Sequence, residues 1–497
     1  MDLRRVLPWS VAALFAPLYA AVSLTRHARL ESAGFDLGIF EEAVRGYSRL
    51  EAPVVALKGT DFNLLGDHFS PVLAVLAPFY RLWPGPGTLL VAQAVLIALS
   101  AVPVTGYAVR VLGTAGGAVA GIAYGLSAGL QSAVEFDFHE VAFAVPLAAA
   151  AAVALARGRY GPAVAWALPL LLVKEDQGLL VAALGAFVWW RGRRRLGAVT
   201  VLVAAAVGLL VTLVVIPALN PGGAYSYAHM GEYHGANPLA RLLLPAVKAR
   251  TVLVLLAPTL LLALRSPLVL LPAVLLAARF WVDNPVYWRS GQHYDAVPAV
   301  LVFTAGLHGA ALLLGRSRAS RGPGPGRGLG RGPGAAVAAG MLAVTVALTA
   351  GGPVAGLLSA QAWRGDGRAA RVREVLAVVP DGARVAAGNH LAPQLTGRCT
   401  VSLFPYLDPP DGQQVPGGWG GPVADWLAVQ DGLDGFPVPQ EDQRRFLARL
   451  VDGGGYRLVA RGAGVAVYRW QGADRQADLV GRAGPRAGGG RPGAAAR

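Results

Sequence analysis

The stretch TVLVLLAPTLLLALRSPLVLLPAVLLAARFWV, residues 251–282, decides how the rest of the chain is laid out. It is apolar on both sides of Arg265, Ser266 and Pro267. Read as one helix it crosses a bilayer once; read as two short spans, 251–264 and 267–282, it is a tight hairpin that returns the chain to the side it came from. Working outward, further apolar runs lie near 6–24, 87–111, 114–134, 141–157, 160–174, 177–190, 196–218, 294–315 and 335–358, making eleven candidate spans if the hairpin is accepted. A transmembrane helix needs about 17–25 such residues, fewer where flanking side chains snorkel. The arginines choose between the two readings. With the N-terminus cytoplasmic, the hairpin places Arg110, then Arg157 and Arg159, then Arg191 and Arg193 to Arg195, then Arg265, then Arg316, Arg318, Arg321, Arg327 and Arg331 in inner loops. A single span would put the Arg-rich linker 316–334 outside, against the positive-inside rule. The hairpin is therefore expected, with the C-terminal region extracytoplasmic and the protein in the plasma membrane.

The composition agrees. Of 497 residues, 54% are hydrophobic and 15% charged, with a mean hydropathy of +0.48; a soluble globular chain carries about 25% charged residues. A net charge of +15 and a pI of about 10.4 do not point to nucleic acid, because the arginines punctuate apolar runs instead of forming a basic patch interleaved with aromatics. Of the 44 basic residues only Lys58, Lys174 and Lys248 are lysines. The lone Cys399 excludes an intrachain disulfide and a cysteine metal site. The first apolar run follows Arg4 and Arg5 and lacks a small-residue cleavage site, so it reads as a retained helix. Asp2 and Asp295 apart, the latter at the very start of the run 294–315, the carboxylates fall in segments outside the spans, and none is mid-span.

Three regions follow. Residues 1–359 form a transmembrane domain with a long first outer loop 25–86, residues 360–470 a small α/β domain, and residues 471–497 a Gly/Arg/Ala-rich tail expected to be disordered. The fold class is mainly α, a polytopic helix bundle with an appended α/β domain. Within that domain the patterning predicts helices over 368–379 and 440–451 and strands near 383–387, 400–404, 425–430, 456–460 and 464–469. In the first outer loop, Phe69 to Leu82 is amphipathic but too short to span, and is expected at the interface.

Polar residues collect in the outer turns. Asp36, in Gly34-Phe35-Asp36-Leu37-Gly38-Ile39-Phe40-Glu41-Glu42, is either a general base held above the bilayer or the N-cap of the helix pattern that runs to Tyr47. Asp67 and His68 either contact phosphate, a metal or a hydroxyl, or cap the interfacial helix. In Glu135-Phe136-Asp137-Phe138-His139-Glu140, alternation puts Glu135, Asp137 and His139 on one side, a ligand set suited to Mg, Mn or Zn; the bland alternative is a solvated turn. Lys174, followed by Glu175, Asp176, Gln177 and Gly178, can reach a lipid phosphate as a point charge or snorkel beside its own acids. A Tyr/His-bearing loop occupies 225–234, and the turn at 293–295 brings His293 and Asp295, the latter at membrane depth and in need of a partner.

These motifs, in this order, resemble an uncharacterised family of bacterial polytopic membrane proteins, domain of unknown function 2079, over roughly residues 5–470. That family in turn resembles the GT-C superfamily of integral-membrane glycosyltransferases. The resemblance implies a polyprenyl-phosphate sugar donor, an acceptor of unstated identity, and an acid of the first outer loop as catalyst, matched here by Asp36. Lys174 with Gly178 is similar to a donor-phosphate motif, and the helix ending near Leu82 is similar to that loop's interfacial helix. Where such enzymes carry an adjacent acidic pair, this sequence has a single Asp. Two other readings stay open from the residues: a transporter or flippase of a lipid-linked or small solute, and a non-catalytic membrane scaffold.

Overall fold

The computed structural model describes residues 3–232, 237–319, 332–405, 424–433, 435–453 and 455–471. The tail expected to be disordered and most of the linker 316–334 lie outside these residues. The chain is a bundle of apolar helices with a five-stranded sheet at its C-terminal end. Helices long and apolar enough to cross a membrane are Leu3–Ala28 (α1), Pro86–Gly125, Arg194–Leu219 and Ala296–Gly315, joined by shorter apolar helices such as Val141–Ala156, Gln177–Trp190 and Pro333–Thr349.

Glycine makes the second of these a hairpin. Gly113 has φ 82° and ψ 173°, a left-handed conformation that side chains rarely adopt. Beyond it the helix folds back so closely that a Cβ on Gly117 would lie 2.5 Å from Val109 and one on Gly121 2.5 Å from Thr105. The two runs 87–111 and 114–134 are thus separate antiparallel helices, the second broken at Ser127 (ψ 140°). The stretch 251–282 also turns back. Helix Val247–Leu256 gives way to 3-10 turns after Pro258, with Leu260 and Leu261 left-handed, and Leu270–Trp281 returns. Lys248 Nζ reaches the carbonyl of Phe280 at 2.9 Å across the hairpin, while Ser266 at its tip meets His308 at 2.8 Å. The run 160–174 is shorter than expected, an α-helix Tyr160–Ala167 tightened into a 3-10 turn Leu168–Leu172 around Pro169. The last run ends as a helix at Thr349, and Pro353–Gly356 is a separate short turn.

Contacts sort the connections into two ends. One end joins Gly116 to Gly334, Arg191 to Tyr160, and Ser266 to His308. The other joins Ser23 to Val134, Asp137 to Ala33, Asn220 to Gly66, and Gln131 to Val354. Turns near Arg110, Arg191 and Arg265 fall in the first set of contacts and the acidic turns in the second.

The C-terminal strands are Arg384–Ala387 (β1), Thr400–Leu403 (β2), Trp426–Gln430 (β3), Tyr456–Gly462 (β4) and Val465–Trp470 (β5), in spatial order β2-β1-β3-β5-β4. β1 is parallel to both β2 and β3, and the hairpin β4-β5 adds antiparallel to β3. Strands and helices fall within a few residues of the expected positions. The sheet sits on the first loop, whose helix Ile39–Ser48 (α2) buries Glu41 and Glu42 against it. Glu41 accepts from the Tyr80 hydroxyl at 2.9 Å and from the Thr396 hydroxyl. Glu42 accepts the backbone N–H of Leu57 and of Val401, each at 3.1 Å, and Arg45 donates to the carbonyls of Thr396 and Cys399 at 2.6 and 2.5 Å. Phe69 to Leu82 is a 3-10 turn followed by the helix Ala77–Leu82, with Phe79, Leu82 and Trp83 exposed.

Burial raises the carboxyl of Glu41 from 4.5 to about 7, although its two hydroxyl donors and Arg45 pull the other way; Glu42 behaves alike. The folded protein therefore keeps a proton on these groups that the unfolded chain has released. Their contribution to stability is full below about 4.5 and is lost as pH rises to about 7. Thermal unfolding in nanodiscs should show a lower Tm at pH 8 than at pH 5. Glu41→Gln, which the rotatable hydroxyls of Tyr80 and Thr396 can accommodate, should shrink that difference; an unaltered pH slope would show that the interface does not carry it.

Candidate functional site

At the acidic end of the bundle, polar side chains from six segments converge. The first loop contributes Asp36 from the turn Gly34–Gly38, where Phe35 leaves helical geometry (φ −86°, ψ 86°). Asp36 Oδ1 lies 3.5 Å from His139 Nε2, and Asp36 remains 29% exposed. His139 is fixed on several sides. Its backbone N–H donates to Gln93 Oε1 at 3.0 Å, Phe40 and Phe136 pack on its ring, and the His293 ring stacks on it at 3.7 Å. Burial and then the neighbouring His139 and Lys174 charges hold His293 well below the ordinary histidine range, so it stays neutral.

Beside these rings runs a layer of buried charges. Lys174 Nζ lies 2.9 Å from Glu140 Oε1. Burial opposes the lysine's charge, but Glu140, Asp176 and Glu175 outweigh it and hold Lys174 well above its ordinary range. Burial likewise opposes ionisation of Glu140, and Lys174, His139 and His68 overcome it, so Glu140 is held below the usual carboxylate range. Next to this pair, His68 Nδ1 lies 2.9 Å from Glu175 Oε1, and its Nε2 lies 3.9 Å from Asp67 Oδ2. Glu175 also accepts from the Phe69 N–H at 3.1 Å and the Tyr225 hydroxyl at 3.2 Å. Burial would raise its carboxyl, but His68 and Lys174 bring it down to about 2. Asp67 pairs with Lys58 and accepts from Tyr227, whose ring stacks on His68 at 4.8 Å.

Asp295 finds the partner that its depth demanded. Arg279 NH1 reaches Oδ1 at 2.5 Å, the Gly291 N–H donates to Oδ2 at 3.1 Å, and Arg279 also donates to the carbonyls of Tyr287 and Arg289. Both Asp295 oxygens are thus committed to ordering the loop that carries His293. Tyr233 and His234 of the 225–234 loop lie outside the described residues.

The expected cation set does not assemble. Glu135 is half-exposed and faces Arg26 at 3.8 Å, Asp137 accepts the Ala33 N–H at 2.6 Å, and His139 lies 3.5 Å from Asp36. The Phe136–Phe138 segment is neither a regular strand nor a helix, so the alternation that would have aligned Glu135, Asp137 and His139 does not exist. Among the described residues no group of three or more His, Cys, Asp or Glu is placed to hold a metal ion. The residues do not fit a cation bound by this turn, and no step is routed through one.

Sequence reasoning brought Asp36, Asp67, His68, His139, Lys174, Glu175, His293 and Asp295 forward separately; the fold brings them together. It gave no role to Glu140 or Gln93, marked Lys58 only as one of three lysines, and took Tyr225 and Tyr227 only as part of the aromatic 225–234 loop. Glu140 ended the quoted polar turn, and a carboxylate opening an apolar helix was the signal for it.

The family described as "Predicted membrane protein (DUF2079)" matches residues 26–467. The chain belongs to that family. Among solved structures, ArnT from Cupriavidus metallidurans in the apo state is similar at a TM-score of 0.51 and 16% identity, over 92% of this chain and 98% of that chain. At this identity the likeness is one of fold. No curated protein matches.

The Lys174–Glu140 pair gives a stability test. Lys174→Met leaves a carboxylate buried without its cation, which should cost about 3–5 kcal/mol. Adding Glu140→Gln should recover most of the lost Tm. A double variant as unstable as the single one would show that packing, not the ion pair, matters at this position.

Proposed function

We propose that this protein is a membrane glycosyltransferase that moves a sugar from a polyprenyl-phosphate donor to an acceptor hydroxyl at the acidic end of the bundle. The observation that carries the reading is the contrast among the carboxylates there. Asp67, Glu140, Glu175 and Asp295 are each committed to a cation, whereas Asp36 is part-exposed with an imidazole 3.5 Å away. That is the arrangement of a base that must reach a substrate. The fold shared with a GT-C glycosyltransferase supports the same reading.

In this mechanism Asp36 takes the proton from the acceptor hydroxyl as its oxygen bonds to the anomeric carbon from the face opposite the phosphate. The bond from that carbon to the phosphate oxygen breaks, its electron pair leaves with the lipid phosphate, and the anomeric centre inverts. Lys174, held cationic by its carboxylates, offers the leaving phosphate a positive charge in a low-dielectric setting, where such stabilisation is strongest. His139 orients Asp36 and is itself kept in place by the neutral His293. Eleven spans, a cytoplasmic N-terminus and an extracytoplasmic site and sheet follow from the arginine pattern and belong to the same proposal. Coupled transport would instead place ionisable groups near mid-bundle, and the network described here lies at one end.

Purified protein should release undecaprenyl phosphate from at least one member of a panel of undecaprenyl-phosphate-linked hexoses and pentoses, followed by mass spectrometry in the presence of membrane glycolipid extract. Asp36→Asn should lower that release by about 10²-fold or more at unchanged membrane abundance. Release at the wild-type rate by Asp36→Asn, or no release from any donor in the panel, would overturn the proposal.

A further inference from the structure

In open sheets of parallel strands, ligands sit outside the carboxyl ends, in the crevice where the chain leaves one strand toward opposite sides of the sheet. β1 is such a strand here, with β2 on one side and β3 on the other, both parallel to it. The segment at its carboxyl end packs directly on the turn that carries Asp36. Asn389, two residues beyond β1, accepts the Gly34 N–H on its backbone oxygen at 2.7 Å and the Phe35 N–H on Oδ1 at 3.0 Å. His390 Nδ1 lies 3.1 Å from the Ser32 carbonyl oxygen. The Phe35 ring meets Phe436, which follows β3, edge-on at 5.2 Å. Gly34 is pressed so close that a Cβ there would lie 2.7 Å from the Ala392 methyl.

We propose that Asn389 is a positioning residue for Asp36, and that the C-terminal sheet uses the segments that follow β1 and β3 to grip the Gly34-Phe35 backbone. The inference rests on the reading of Asp36 as the base. Two successive N–H groups are held by one asparagine, the second of them on Phe35, the residue at which the backbone leaves helical geometry. Fixing those two groups fixes the direction in which the next side chain leaves, and the next side chain is Asp36, aimed at His139. Asn389 is 8% exposed, so its amide oxygen is held in a site with little competition from solvent, where a hydrogen bond is strong and a missing one costly. The sheet unit then has a function in the membrane-facing site: it sets the geometry of a residue that lies more than three hundred positions earlier in the chain.

The test is hydrogen–deuterium exchange of the full-length protein in nanodiscs, read by mass spectrometry over residues 33–37. Asn389→Ala removes the side-chain acceptor and should speed exchange there about fivefold, the worth of one hydrogen bond of about 1 kcal/mol, with the strands 384–387 and 426–430 still protected. Asn389→Asp keeps an acceptor oxygen and should restore slow exchange. Gly34→Ala should reproduce the local effect from the loop side by driving a methyl against Ala392. Asp425→Ala, which breaks the Arg384–Asp425 pair (2.9 Å), perturbs the same strands away from the turn and should leave residues 33–37 unchanged. Unchanged exchange in Asn389→Ala, failure of Asn389→Asp to restore protection, or loosening spread equally over the strands would overturn the proposal. The measurement needs no substrate. Local loosening rescued by Asp in a protein that transfers no sugar would therefore uphold the grip while removing the transferase reading.

Discussion

Adjacent carboxylates on one helical turn cannot be buried unless the fold brings hydrogen-bond donors to them, because the desolvation penalty of each is several kcal/mol. Glu41 and Glu42 are buried in this way, and their donors come from different regions of the chain: Tyr80 in the interfacial helix, Leu57 in the middle of the loop, and Thr396 and Val401 from the C-terminal sheet unit. Satisfying them requires the loop, the interfacial helix and the sheet to meet at one place. Arg45, one helical turn on, closes the same junction by binding two carbonyls of the sheet unit. The position of Asp36 depends on this junction, since the turn that carries it leads directly into α2, whose Glu41 and Glu42 are held there.

The charged layer beneath Asp36 obeys the same rule. Lys174 with Glu140, His68 with Glu175, Lys58 with Asp67 and Arg279 with Asp295 each place a cation on a carboxylate that would otherwise be costly to bury. Such pairs contribute little net stability against an apolar replacement; what they supply here is a fixed field of alternating charges at the end of an apolar bundle. A lysine held cationic and a part-exposed aspartate within that field form an electrostatic arrangement able to receive a developing phosphate charge and a proton. His139 lies against Asp36, and its neighbour in sequence, Glu140, carries Lys174.

The apolar helical character of the bundle was legible because bilayer thickness sets the lengths of apolar runs and glycine, proline and arginine interrupt them. Those constraints act locally, so the hairpin around Arg265 and the break after Arg110 could be read from a few residues. The polar turns were legible for a similar reason: a charge at membrane depth must have a purpose or a partner. Their pairings were not. Lys174 stands next to Glu175 and Asp176 in sequence, yet in the fold its ion pair is with Glu140, and Glu175 goes to His68; each choice is made by how helices pack, across more than thirty positions of chain. The alternation argument failed at Glu135 to His139 because it needs a regular backbone, and the Ala33 N–H draws Asp137 away. Asn389 carried no sequence signal, since nothing local marks a residue whose partner is the backbone of a distant segment.

The central claim is that Asp36 and Lys174 serve one reaction centre at the lipid boundary. A cryo-EM structure of the full-length protein in nanodiscs containing undecaprenyl phosphate tests it most directly. The account predicts phosphate density against Lys174, on the side from which Asp36 and His139 can be approached, with the prenyl chain leaving toward the bilayer. Phosphate bound away from Lys174, or a lipid path separated from Asp36 by the packed helices, would contradict it.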